Sequence, residues 1–250
     1  MAYGPARALR LVAIAALLVT AIFVVWLDQH SSGNNGTLRP SGPSQVETAA
    51  VGSGFDFYVL ALSWSPSYCE AEGQQANRQQ CDSGRPYAFV VHGLWPQSER
   101  GFPQNCPTGQ AEVPNQTLRG LYDLMPSAGL IRHQWKKHGT CSGLSQADYF
   151  ATLRAARDKV VIPEEFRRLD AFRSIAPTEA ERAFLQSNAT LPSDGIAVTC
   201  DKNYLREVRI CLTKELGFRA CPEVDRRSCR LDRAVMPPVR GTPAQPSTTQ

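Results

Sequence analysis

The chain predicts an α+β domain closed by disulfides, and three observations predict it. Strand-like apolar runs and capped helical segments are mixed without regular β-α-β alternation. Hydrophobic residues make up 42% and charged residues 20% of 250 positions, an ordinary globular balance. Eight cysteines, Cys69, Cys81, Cys106, Cys141, Cys200, Cys211, Cys221 and Cys229, are spread along one block of the chain, none of them in a C-x-x-C pair. That excludes a zinc ribbon and a thioredoxin motif. Behind an export-like N-terminus the even count reads as four disulfides in an oxidising compartment, although eight cysteines allow 105 pairings. The net charge of +4 permits a polyanionic partner without demanding one.

Arg7 and Arg10 precede an uncharged run, Leu11 to Leu27. Its seventeen residues are at the short end of the roughly 17–25 that span a bilayer and long for a signal-peptide core of about 7–15. Residues 1–27 are therefore expected to be a signal peptide or a signal anchor, with 11–27 as a membrane tether in the second case. Positive charge ahead of the run carries the following chain across the membrane. Residues 28–53, rich in Ser, Gly, Asn, Thr and Pro, read as a flexible linker, and 237–250 as a disordered tail. Between them lies one domain, 54–236.

The domain opens with "FDFYVLALSW", dense in β-prone apolar residues, a central strand. "YAFVVHGLWP" is a second strand, ended by Gly93 and Pro96. "TLRGLYDLM" reads as a short helix. "LIRHQWKKH" reads as another, stopped by Gly139 at its C′ position. "SQADYFATLRAARDKV" is a helix with Ser145 as N-cap and Asp148 three residues on. "TEAERAFLQSN" is a helix capped by Thr178. "IAVTC" and "LREVRICL" return to strand, the latter with Val208, Ile210 and Leu212 on one face.

The stretch "RHQWKKHGTC" holds two of the chain's four histidines beside two lysines. Adjacent cations repel, so this is either a solvated helix end or a receptor for something negative. On a helix, His133 and Lys137 are four apart and share a face, and Gln134 and His138 lie one step round. Trp135 points the other way, into the core, and Lys136 falls off the strip into solvent. Histidines exchange protons near neutral pH and lysine supplies fixed charge, so an anion held there could have a proton moved. A second proton carrier is needed if one oxygen is activated while another leaves, and His92 in "VVHGLWP" is the candidate, with Gly93 allowing close backbone approach. A metal is not expected: His133 and His138 are poorly phased for one ion, no H-E-x-x-H occurs, and the lysines would repel a cation.

"FVVHGLWPQ" and "HQWKKHGTC" closely resemble the two active-site segments of the ribonuclease T2 family, and "FDFYVLALSWSPSYC" resembles its first strand. The resemblance runs from Phe55 to about Cys229. It implies a central, mostly antiparallel sheet with helices packed around it, and an endoribonuclease cutting single-stranded RNA with no metal, no cofactor and no obligate protein partner. The 2′-hydroxyl attacks phosphorus and a 2′,3′-cyclic phosphate results. By the same resemblance His138 is the general base and His92 the general acid. His133 binds phosphate or assists the acid, Lys137 stabilises charge on phosphorus, and Trp95 stacks on a base. Disulfides Cys106–Cys141, Cys200–Cys229 and Cys211–Cys221 are implied, leaving Cys69–Cys81.

Two positions depart from the family pattern. Gln134 stands where the second motif carries Glu, which makes imidazolium less favourable beside it, so the limb set by the base is expected at lower pH than in a Gln134→Glu variant. Gln97 follows "HGLWP" where some members carry Asp at the base pocket, leaving base preference open. A catalytically weakened homologue that binds RNA or a protein is the alternative reading, on the strength of Gln134. A metal-dependent phosphodiesterase lacks the carboxylates that two-metal chemistry needs.

Overall fold

The computed structural model describes residues 51–241. The expected signal or anchor segment, most of the linker, and the tail from 242 onward lie outside the described residues. Among the described residues no helix is long and apolar enough to cross a membrane.

A six-stranded sheet organises the domain. β1 (Phe57–Trp64) pairs antiparallel with β2 (Phe89–Gln97) on one side and with β5 (Tyr204–Leu212) on the other. β4 (Ile196–Asp201) also pairs antiparallel with β5. A single parallel bridge joins β5 to β6 (Ala234–Met236), which pairs antiparallel with β3 (Arg173–Ile175). The sheet is therefore mostly antiparallel and the class α+β. The helices are α1 (Ser65–Glu72), α2 (Arg78–Cys81), α3 (Asn115–Arg119), α4 (Ala128–Lys137), α5 (Gln146–Lys159), α6 (Pro177–Ser187) and α7 (Pro222–Asp225).

One face of the sheet meets α4, α5 and α6 in the main core. Leu60 and Leu62 of β1, Val91 and Leu94 of β2, and Val208, Ile210 and Leu212 of β5 pack there with Trp135, Tyr149 and Phe184. The face expected of β5 is thus the one it buries. On the opposite face Phe57, Val59, Cys211 and Cys221 form a smaller cluster against Trp95.

β2 does not stop at Gly93 or Pro96, as its sequence suggested, but runs on to Gln97. It is an edge strand, where a proline's missing N–H leaves no ladder bond unmade. Its register carries a bulge: Ala61 faces Gly93 and Leu62 faces Val91, so His92 has no partner on β1. Val91 and Leu94, three apart, both face the main core, which strict alternation forbids and one inserted residue allows.

Ser145 caps α5 as expected, accepting from the Asp148 N–H at 3.1 Å. α6 begins earlier than expected, because Pro177 is suited to the first helical position. Ala176, not Thr178, is the N-cap, and Glu179 accepts from the Ala176 N–H at 3.0 Å. In "TLRGLYDLM" the helix ends at Arg119 and the rest is turn. α4 ends at Lys137 with His138 as its cap residue, and a 3₁₀ turn, Gly139–Cys141, follows. Gly139 is required for space, not for a left-handed cap. A Cβ there would lie 2.4 Å from Trp135 Cε3 and 2.8 Å from Tyr149 Cε1.

The packed domain is longer than 54–236. Ser53 donates its N–H to the Ser142 carbonyl at 2.9 Å. Beyond Met236, the Trp64 indole donates to the Pro237 carbonyl at 3.0 Å, Val239 is buried, and Arg240 pairs with Glu70 at 2.9 Å. The four disulfides are Cys69–Cys81, Cys106–Cys141, Cys200–Cys229 and Cys211–Cys221, as the resemblance implied.

Gly139→Ala should lower stability by about 1–3 kcal/mol, the usual cost of overpacking a filled core. Urea unfolding should show a lower midpoint at unchanged slope; an unaltered midpoint would mean that Trp135 moves aside freely.

Candidate active site

The bulge decides what the site contains. In a regular strand His92 and Trp95, three positions apart, would project from opposite faces. With the extra residue they share the face opposite the main core, and their rings meet edge to face with centroids 5.3 Å apart. Trp95 also lies against His138, centroids 5.4 Å apart and planes tilted by 31°. The indole therefore touches both imidazoles.

α4 supplies the other wall. Ser127 caps it, accepting from the Leu130 N–H at 3.1 Å. Its turn places His133, Gln134 and Lys137 toward β2, with His138 at the C-cap. Trp135 is buried on the opposite side, its indole donating to the Gln110 carbonyl at 2.6 Å. Lys136 is exposed, as helical phasing predicted. Gln134 is buried, and its Oε1 accepts the Trp95 indole N–H at 2.8 Å. Only glycine fits at 93 opposite this amide, since a Cβ would come within 2.2 Å of Gln134 Oε1. The lower end of α4 is tied back twice, by the Asn105 N–H donating to the Lys137 carbonyl at 2.9 Å and by Cys106–Cys141.

Together these residues line a cleft of about 310 Å³. His92, His133, Gln134, Lys137, His138, Trp95 and Gln97 all border it, so every candidate site residue is brought together. The sequence reading had passed over Phe102, Arg209, Glu223 and Arg227, which also line it. Phe102 is 45% exposed, an apolar ring at the cleft, 6.5 Å from His138. Arg209 lies over the Trp95 ring at 5.2 Å. A second depression of about 380 Å³ shares His92 and His133 with the first and includes Tyr68, Asn77 and Arg206. Among the described residues no group of three or more His, Cys, Asp and Glu side chains is placed to hold a metal ion.

The two imidazoles differ electrostatically. Burial, followed by the charges of Lys137, His92 and His133, pushes His138 down to about 3. It is therefore neutral, a proton acceptor, from mildly acidic to neutral pH. Its Nδ1 is buried with no hydrogen-bond partner, which leaves Nε2 as the nitrogen available to the cleft. His133 is likewise pushed down, by burial first and then by Lys137, His92 and Lys136. His92 is 35% exposed at its side chain, and its Nδ1 is bonded to the carboxylate of Glu207 on β5. Glu207 was missed because nothing in "LREVRICL" marks it. On a strand whose other face is apolar, a charged residue reads as solvent-facing.

With this geometry in view the comparisons with known proteins are specific. The model of the Ribonuclease T2 family matches residues 55–221, and the chain belongs to that family. It is a T2-type endoribonuclease. A ribonuclease of Aeromonas hydrophila is 37% identical over 194 residues, covering 71% of this chain and 81% of that protein. Among solved structures, an RNase-related protein from Calystegia sepium superposes with a TM-score of 0.60 at 22% identity, covering 74% of this chain and 98% of that one. RNase NT in complex with 5′-AMP gives 0.51 at 26% identity, covering 68% and 92%.

Gln134→Glu should put a buried negative charge beside His133 and His138 and raise the pKa of both imidazolium groups. The acidic limb of kcat/KM against pH, where the base becomes protonated, is expected to move to higher pH. A limb that stays in place would show that position 134 does not tune the base.

Proposed function

We propose that this ribonuclease cleaves single-stranded RNA by transphosphorylation, without a metal ion. The supporting observation is the pair of imidazoles, His92 and His138, flanking Trp95 in one cleft with Lys137 and His133 beside them. Nε2 of His138 takes the proton of the 2′-hydroxyl, and the 2′-oxygen attacks the adjacent phosphorus. His92 gives its proton to the departing 5′-oxygen as that bond breaks, leaving a 2′,3′-cyclic phosphate. Lys137 and His133 hold the phosphate and offset the charge that grows on its oxygens. The low proton affinity of His138 keeps it ready as a base.

The two depressions on either side of His92 and His133 would take the nucleotides flanking the scissile bond. Phe102 offers exposed aromatic surface to a base, and Trp95 and Gln97 border the same cleft. Only RNA carries the internal nucleophile. The bound 5′-AMP of RNase NT supports a nucleotide site in this fold. Four disulfides support action outside the reducing cytoplasm, in the periplasm or the medium.

In EDTA the protein should convert an RNA oligonucleotide to products ending in 2′,3′-cyclic phosphate, seen by mass spectrometry, and leave the 2′-deoxy counterpart intact. His92→Ala and His138→Ala should each lose about 10²–10⁴ in rate, the usual worth of one proton-transfer group. Cleavage of the deoxy oligonucleotide, or activity abolished by chelation, would contradict the mechanism.

A further inference from the structure

The groups behind His92 form a chain of their own. Glu207 is 8% exposed. Its Oε1 receives His92 Nδ1 and the Ser63 hydroxyl, the latter at 3.3 Å. Its Oε2 accepts from Arg209 Nε at 3.0 Å and Nη2 at 2.8 Å. Ser63 and Glu207 are direct partners across β1 and β5, so the carboxylate is fixed by the sheet itself. Arg209 is in turn held between Glu207 and the face of Trp95. Every oxygen of this buried carboxylate is engaged, and it meets the cleft through two side chains, the His92 imidazole and the Arg209 guanidinium.

We propose that Glu207 is a positioning residue for the general acid: it holds the Nδ1–H of His92, so that Nε2 is the nitrogen that gives and takes the proton. This rests on the reading of His92 as the acid. In the first step the Nε2 proton passes to the 5′-oxygen as the P–O5′ bond breaks and the P–O2′ bond forms. Nδ1 keeps its proton and its bond to Glu207, and the ring is left neutral. The Nε2 lone pair then takes a proton from the water that opens the cyclic phosphate, restoring the imidazolium. The same division of labour orients other catalytic imidazoles through a buried carboxylate.

Glu207 stays a carboxylate throughout. Burial favours its protonated form, but the hydrogen bond and charge of His92, with the charge and hydrogen bonds of Arg209, outweigh that and hold it at about 2. The other charged and titratable groups around the ring are Arg209 of β5, His133 and Lys137 of α4 and His138 at its cap, with Glu223 and Arg227 elsewhere on the first cleft and Tyr68 and Arg206 on the second depression. Glu207 is the negative group in contact with the ring.

The test uses the full-length protein, disulfides intact, as wild type, Glu207→Gln and His92→Ala. Two substrates separate acid catalysis from structure. A dinucleoside monophosphate needs its 5′-oxygen protonated on departure. A nucleoside 3′-(4-nitrophenyl phosphate) expels a phenolate that leaves without a proton. Glu207→Gln is expected to lower kcat/KM about 10–100-fold on the dinucleotide, a share of what a general acid supplies. It should change the aryl ester's rate by less than about threefold. Glu207→Asp, which keeps the charge one methylene short, covers an amide variant that fails to fold. It too should lose rate on the dinucleotide only. Equal losses on both substrates would reduce Glu207 to a structural role and overturn the proposal. Wild-type rates on both, with His92→Ala still impaired on the dinucleotide, would overturn it while leaving the functional reading intact. A wild-type protein inactive on both substrates would overturn that reading and this inference together.

Discussion

The active site depends on one unpaired residue in an edge strand. If β1 and β2 kept a continuous register, Val91 and Leu94 could not both face the main core, and His92 would be directed away from Trp95. The bulge reconciles a core requirement with a site requirement, and it does so where the ladder is easiest to interrupt, at the sheet's edge. Once His92 is turned to the open face it meets Glu207 across β1, and Trp95 fills the space between it and His138. Gly93 follows from the same constraint. At this position the Gln134 amide lies so close to the backbone that a Cβ would meet its Oε1 at 2.2 Å.

The cleft gathers Lys137, Arg209 and Arg227 beside the imidazoles of His92, His133 and His138, and like charges so close repel. The scaffold resists that repulsion with covalent and packed restraints. Cys106–Cys141 joins the loop after β2 to the turn after α4, and Cys211–Cys221 joins β5 to the start of α7 beside Phe57 and Val59. Tyr149 of α5 reaches from the core to the Leu94 carbonyl at 2.8 Å and pins the strand next to the bulge. Burial, with the charges of Lys137, His92 and His133 added to it, keeps His138 neutral.

Much of this was legible in the sequence because it rests on period and composition. The 3.6-residue phase of "HQWKKH" separated a polar strip from Trp135 and Lys136, and the apolar alternation of "LREVRICL" named its buried face. The bulge was not legible, because a run of apolar residues around one histidine looks the same with or without an inserted residue. Glu207 was lost for a related reason: alternation identifies which face a residue is on, not whether that face is solvent or a site. Gly139 was read as a helix stop when its role is to let Trp135 and Tyr149 close together. Thr178 was expected as the cap because hydroxyls favour that position, whereas Pro177 sets the start with Ala176 as the N-cap. The boundary at 236 rested on the prolines of "PPVRG", yet Pro237 offers its carbonyl to the Trp64 indole and Val239 is buried, contacts that no local composition encodes.

The central claim is that one phosphate sits among His92, His133, Lys137 and His138. A crystal structure of the protein with a 2′-deoxy dinucleoside monophosphate, which binds but cannot be cut, tests it most directly. The account predicts the phosphorus in the cleft beside Trp95, with the 5′-oxygen within hydrogen-bond reach of His92 Nε2 and the 2′-carbon facing His138 Nε2. A phosphate bound elsewhere, or one whose leaving oxygen faces His138 instead, would contradict it.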